Sequence, residues 1–247
     1  MANPPPDPLQ LGQHFLHDDA ILKKIVEAAN LKQEDVVFEA GFGQGNLTRK
    51  LSPRCSVIAV ELDETFTLDL PNVTVIHGNA LDIFEIESFN KCVSNIAYHI
   101  AEPLLKKLMW KRDCEMAVLL VSASFAHKLT QPGKLGVLTQ GIFSVETVTD
   151  VPKAAFYPPP DTKSSVIKLV RKSDEEKTPL QKALAALILQ HDKKIKNALE
   201  KHFEGSITKR QVKEKLSSLG EVVNKGIFSL SEEQFKHLAS VLEKMHG

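Results

Sequence analysis

Val36-Val-Phe-Glu39-Ala-Gly41-Phe-Gly43-Gln-Gly45 is the stretch on which the fold turns. Its apolar opening, with two β-branched residues, predicts a strand; the glycines predict a sharp turn, and a helical pattern follows over residues 47–51. Glycines there let the backbone approach a ligand closely, and free N–H groups at a helix start attract anionic groups. The spacing is G-x-G-x-G, not the G-x-G-x-x-G of dinucleotide-binding enzymes. Glu39, acidic and just before the turn, suits a sulfonium cofactor better than a pyrophosphate.

Around this stretch short apolar runs alternate with helical patterns. An amphipathic helix begins near Asp18 and Asp19, with Ile21, Leu22, Ile25, Val26 and Ala29 at helical spacing. Residues 57–60, 73–76, 92–94 and 116–121 read as further strands, a helix covers about 103–110, and 145–149 with 165–170 form a closing pair. Such alternation predicts a doubly wound, mostly parallel α/β sheet of Rossmann-like type. The proline-rich start, Met1-Ala-Asn-Pro-Pro-Pro-Asp-Pro8, reads as an extended arm. Arg171-Lys-Ser-Asp-Glu-Glu-Lys177 reads as a linker, and everything beyond it as helical, with Ser231 and Gln234 forming a capping box for the last helix. The expected division is an α/β domain over 1–172 and a small helical domain over 173–247.

Composition removes other classes. With 247 residues, 43% hydrophobic and 25% charged, the chain is neither disordered nor fibrous. Lys plus Arg and Asp plus Glu both total 31, so net charge says nothing for or against a nucleic-acid partner. Cys55, Cys92 and Cys114 form no C-x-x-C pair and read as small buried residues in a reducing compartment. His17, His77 and His99 show no ligand-like grouping, so no metal site is expected. No apolar run is long enough to span a membrane, and no leader or transit pattern opens the chain; a cytoplasmic, monomeric protein is expected.

The strand ends carry the chemistry. Glu61 ends the second strand about 20 residues after the glycines, where an acidic side chain accepts from ribose hydroxyls, and Asp63 shares that end. Asn79, in Gly78-Asn-Ala-Leu81, ends the third and offers a paired donor and acceptor to an adenine edge. The fourth ends in Ser94-Asn-Ile-Ala-Tyr98, a variant of the (Asn/Asp)-Pro-Pro-(Tyr/Phe) signature of amino methyltransferases. The exocyclic amine of adenine is a poor nucleophile because its lone pair is delocalised into the ring. Acceptance of its protons by the Asn95 amide oxygen and a backbone carbonyl near Ile96 favours the pyramidal form and frees the lone pair. Tyr98 is placed to stack on an extracted base.

With these residues in view the sequence resembles the KsgA-type rRNA adenine N6,N6-dimethyltransferases, relatives of the erythromycin-resistance rRNA methyltransferases. Gly12-Gln-His-Phe-Leu16 is similar to the family's G-Q-(Asn/His)-F-L, and residues 39–48 to its E-x-G-x-G-x-G-x-L-T. Residues 95–98 match N-(I/L)-P-Y in part. Phe156-Tyr-Pro-Pro-Pro160 with Ser164 and Ser165 resembles its F-x-P-x-P…S loop, and Lys194-Ile-Lys-Asn-Ala-Leu199 its K-x-x-R-N-A-L helix. His14 and the Phe-Tyr-Pro-Pro-Pro loop look most like archaeal members.

The resemblance implies S-adenosylmethionine as methyl donor and two adjacent adenosines near the 3′ end of small-subunit rRNA as acceptors, in ribosome biogenesis. It implies a cofactor pocket of Gln13, His14, Leu16, Glu39, Gly41, Gly43, Glu61, Asn79 and Asn95. Asn95 is then the residue on the target amine, with Tyr98 and Phe156 on either side of the adenine, and the helical domain docks on the ribosomal subunit. Three positions depart from the family: Ala97 stands where it has proline, Asn79 where it has aspartate, and Val121-Ser-Ala-Ser-Phe-Ala126 lacks its Q-x-E. Three other readings stay open on residues alone: action on a large-subunit rRNA adenosine, a catalytically weakened ribosome-assembly or RNA-binding factor, and an ordinary small-molecule methyltransferase.

Overall fold

The computed structural model of the chain describes residues 13–206 and 208–246; the proline-rich arm and Gly12 of the N-terminal motif lie outside them. In chain order the elements are β1 (Phe15–Leu16), α1 (Asp19–Ala28), β2 (Val36–Ala40), α2 (Thr48–Leu51), β3 (Ser56–Glu61), β4 (Val73–His77), α3 (Ala80–Ile86), β5 (Lys91–Asn95), α4 (Ala101–Trp110) and β6 (Met116–Ser122). There follow α5 (Ala123–Thr130), α6 (Lys134–Ile142), β7 (Phe143–Val151), β8 (Phe156–Tyr157), β9 (Ser164–Arg171), α7 (Pro179–Leu189), α8 (Ile195–His202), α9 (Lys209–Lys215) and α10 (Glu232–His246).

Seven strands form one sheet in the order β4-β3-β2-β5-β6-β9-β7. β2 pairs in parallel with β3 and β5, β3 with β4, and β5 with β6, while β9 runs antiparallel to β6. The near-continuous apolar runs of β2, β3 and β6 are buried, as strands covered on both faces must be. From β2 the chain winds outward through β3 and β4, then returns to β5 on the other side. That reversal opens a crevice at the carboxyl ends of β2 and β5, the position where ligands bind in sheets of this kind.

Local signals agree with this. Asp18 caps α1, accepting from the N–H groups of Ala20 and Ile21 at 2.9 and 3.2 Å, and Ile21, Leu22, Ile25 and Val26 form its buried face. At the amino end of β5, buried Lys91 donates to an Asp35 carboxylate oxygen at 2.7 Å and to the carbonyls of Ala29 and Asn30. Burial alone would raise Asp35, but hydrogen bonds from Lys91, Asn90 and the Lys32 N–H, with the Lys91 charge, hold it below its ordinary value. The three cysteines are buried and free.

A second, two-stranded ribbon joins β1 to β8 antiparallel, with Phe15 opposite Tyr157 and Leu16 opposite Phe156. Nothing in the sequence announces it: strands of two residues carry no periodicity, and the expected reading of this segment was a lead into α1.

The chain folds into two compact units, drawn differently from a division at 172/173. Among the described residues, one comprises those through His127 with Ser144–Arg171; the other comprises Lys128–Phe143 with those from Lys172 onward. α6 is therefore part of the helical unit although it precedes β7 in sequence. It packs on α7, where a Cβ added at Gly141 would stand 3.8 Å from that of Leu184. Lys134, at its start, donates through Nζ to the carbonyls of Phe228 and Leu230. The apolar stripe running from Leu180 to Leu199 is broken into α7 and α8, since Gln190-His-Asp-Lys-Lys194 between them has no apolar side chain to bury. The expected capping box is present: Gln234 N–H donates to Ser231 Oγ and Ser231 N–H to Gln234 Oε1, both at 3.2 Å.

Candidate active site

A cavity of about 460 Å³ opens in the α/β unit at the carboxyl ends of β2, β3 and β5. Gln13, His14, Leu16, Glu39, Gly41, Gly43, Glu61, Asn79, Asn95, Tyr98 and Phe156 all line it. The glycine turn forms its wall. Gly41 has φ +75°, and a Cβ added there would meet no protein atom within 4 Å. Its N–H and that of Phe42 both donate to the Val60 carbonyl, at 2.8 and 3.2 Å, tying the turn to the end of β3. Gly43 is required by packing as well as by its φ of +50°, since a Cβ would come within 2.9 Å of the Phe15 ring.

Two carboxylates in the cavity differ in how they are satisfied. Glu61 accepts three backbone N–H groups: Gly43 on Oε2 at 2.9 Å, and Leu62 and Asp63 on Oε1 at 2.9 and 3.1 Å. Glu39 is fully buried and its Oε2 has no partner among the described residues. Burial pushes its carboxyl up to about 8, partly offset by the Thr48 hydroxyl and reinforced by the negative charge of Glu61. The Gln13 Oε1 is likewise buried and unpartnered. Unsatisfied buried acceptors of this kind are costly, and a ligand that donates to them relieves the cost.

The opposite wall is built around His14. Its backbone carbonyl accepts from Asn95 Nδ2 at 3.0 Å, and its ring Nδ1 lies 2.9 Å from the Pro158 carbonyl. A carbonyl can only accept, so the amide nitrogen of Asn95 must face His14, and Oδ1 is left as a free acceptor. By the same logic Nδ1 of His14 carries the hydrogen. Tyr98 is anchored by a 2.6 Å hydrogen bond between its hydroxyl and that of Ser164, and burial raises its pKa with this bond in partial opposition.

Four placements differ from expectation or were not foreseen. The Asn79 oxygen accepts from Leu81 N–H at 3.0 Å as the N-cap of α3, so part of its acceptor capacity is spent on the helix. Asp63 does not line the cavity; its carboxylate turns back onto the N–H and hydroxyl of Thr65. Phe156 is only 3% exposed, with its side chain in the core beside the cavity, whereas its neighbour Tyr157 is 72% exposed. Asn46, which the motif reading passed over, lines the cavity and donates to the Leu16 carbonyl at 2.9 Å, binding the glycine turn to β1. Its position directly after Gly45 was its only signal.

The chain is similar to known proteins in both sequence and fold. The family described as "Ribosomal RNA adenine dimethylase" matches residues 9–239. The probable ribosomal RNA small subunit methyltransferase A of Methanopyrus kandleri is 36% identical over 260 residues, covering 96% of this chain and 93% of its own. That of Pyrococcus abyssi is 36% identical over 251 residues, covering 95% and 91%. Among solved structures, a dimethyladenosine transferase from Plasmodium falciparum is similar at a TM-score of 0.64 and 26% identity, over 94% of this chain and 98% of that one. The 23S rRNA methyltransferase ErmE shares the fold at a TM-score of 0.61 and 23% identity, over 93% and 99%.

Proposed function

The chain belongs to the ribosomal RNA adenine dimethylase family, and we propose that its cavity holds S-adenosylmethionine beside an adenine of small-subunit rRNA and that it dimethylates two adjacent adenosines near the 3′ end. The fit to the donor rests on chemistry already described. The Glu61 carboxylate supplies negative charge for a cationic ligand and retains acceptor capacity for ribose hydroxyls, the Glu39 Oε2 offers a buried polar atom without a partner among the described residues, and Gly41 leaves open space at the wall. S-adenosylmethionine, when bound, supplies an electrophilic methyl group.

The observation that carries the reading is the fixed orientation of Asn95. Its Oδ1 accepts one hydrogen of the adenine amine, and the Ile96 carbonyl accepts the other. Both bonds strengthen as the nitrogen becomes pyramidal, so they stabilise the transition state more than the bound substrate. Tyr98 and Phe156 hold the ring plane; the Tyr98 bond to Ser164 and the burial of Phe156 keep both aromatic surfaces in place. His14 acts here through its backbone, by orienting Asn95.

The helical unit would meet rRNA phosphates. Lys193, Lys194, Lys209, Lys213 and Lys215 are exposed on it, while Arg210 is paired with Glu214 at 2.9 Å. Binding should then weaken steeply with salt. In this reading the protein works in the cytoplasm, on ribosomal subunits.

Labelled methyl transfer from S-adenosylmethionine to undermethylated small subunits tests the proposal, with Asn95→Ala and large-subunit rRNA alongside. Incorporation into small-subunit adenosines, lost in the variant, supports it. Incorporation only into large-subunit rRNA overturns the target, and tight subunit binding without transfer overturns the enzymatic role in favour of an assembly factor.

A further inference from the structure

The β1–β8 ribbon alternates its side chains between two faces, and cross-strand partners share a face. Leu16 and Phe156 take the inner face, each 3% exposed. Tyr157, paired with Phe15, takes the other face and is 72% exposed. Phe15 and Phe156 both line the cavity, so Tyr157, not itself a lining residue, is one residue from its aromatic wall and paired across the ribbon with another part of it.

This ring is held out on a constrained backbone. Phe156 and Tyr157 are in the ribbon, His17 N–H adds a bond to the Ala155 carbonyl at 3.0 Å, and the Pro158 carbonyl is tied to the His14 ring. Pro158, Pro159 and Pro160 follow directly. Among the described residues neither the hydroxyl nor the ring of Tyr157 has a partner. An amphipathic aromatic fixed in solvent next to residues that line a cavity is a surface made ready for a flat ligand.

Resting on the reading that the cavity takes an adenine from RNA, we propose that Tyr157 forms a second nucleobase site, stacking on the base adjacent in the strand to the one inside. Drawing one nucleotide out of a strand strips its neighbour of a stacking partner, and an exposed tyrosine adjoining the cavity's aromatic wall replaces it. For a substrate with two adjacent adenosines, this site holds the one that is waiting or already methylated. Stacking needs the ring and not the hydroxyl, so phenylalanine suffices there and alanine does not.

The test uses the full-length protein and single-stranded RNA oligonucleotides containing two adjacent adenosines, with 2-aminopurine replacing one or the other. 2-Aminopurine lacks the 6-amino group and so occupies the outer position while adenine enters the cavity. Binding to the unaltered protein is expected to quench its fluorescence in one of the two oligonucleotides. Tyr157→Ala is expected to abolish that quenching and to raise KM for RNA about tenfold, the scale of one lost base stack, with kcat little changed. Tyr157→Phe is expected to restore both. Unchanged quenching and KM in Tyr157→Ala overturn the second site while leaving the cavity reading intact. Failure of the unaltered protein to methylate any adenosine in undermethylated small subunits removes the cavity reading and the second site with it.

Discussion

The backbone carbonyl of His14 accepts a 3.0 Å hydrogen bond from the side chain of Asn95, 81 residues further along the chain. Since that carbonyl cannot donate, the bond sets which end of the amide is left for a ligand. Asn95→Ala removes the acceptor and leaves the strand intact. It is expected to lower kcat about 10²- to 10³-fold, the usual effect of deleting one transition-state hydrogen bond, with little change in melting temperature. Asn95→Asp cannot donate to His14 and should also lose activity. Wild-type turnover in Asn95→Asp, measured in single-turnover methyl transfer, would remove the role given to this bond.

Glu39 makes stability depend on pH. Burial, with Glu61 reinforcing and Thr48 opposing, pushes it from its ordinary 4.5 up to about 8. Between those values the folded protein holds a proton that the unfolded chain has released, so the stabilisation is complete below about 4.5 and is lost as pH rises through 8. The ligand-free protein should lose up to about 1.4 kcal/mol per pH unit in that window from this group. Glu39→Gln should flatten the slope in calorimetric melts between pH 6 and 8.5. Parallel slopes for the two proteins would contradict this.

Ala97 stands where the family has proline, yet its backbone, at φ −60° and ψ 133°, already has a proline-compatible conformation. No described residue accepts its N–H. Ala97→Pro should therefore stabilise the fold by about 0.4–1 kcal/mol by restricting the unfolded chain, with methyl transfer undiminished. A fall in kcat in this variant would show that the extra N–H takes part in substrate binding.

Gly41 has φ +75° and faces open cavity. Gly41→Ala should cost about 1–2 kcal/mol of stability from the left-handed backbone alone. It should weaken S-adenosylmethionine binding at least tenfold, because the new methyl group occupies ligand space. Calorimetric titration checks this, and an unchanged affinity would place the donor elsewhere.

The fold was legible because its signals are local and redundant. The strand-turn-helix at residues 36–51 and the alternation after it specify a doubly wound sheet, and hydrophobic burial leaves few other ways to cover both faces. Glu39, Glu61, Asn79 and Asn95 were recognisable because each sits at a strand end, and in a parallel sheet those ends converge. That residues 128–143 leave the α/β unit was not legible: α6 joins the helical unit from a position between two strands, a matter of packing that no local pattern encodes.

By itself the amino-acid sequence determined the class of fold, the family and the set of side chains around the cavity, since periodicity, turn chemistry and motif order are properties of neighbours along the chain. Only the tertiary structure decided how those side chains are committed. Asn79 spends an acceptor on capping α3, Asn95 is turned by His14, Glu39 Oε2 has no partner among the described residues, and Tyr157 rather than Phe156 meets solvent. Each of these depends on hydrogen bonds or burial contributed by segments brought together in folding, and such contacts have no signature in the sequence around the residue they govern.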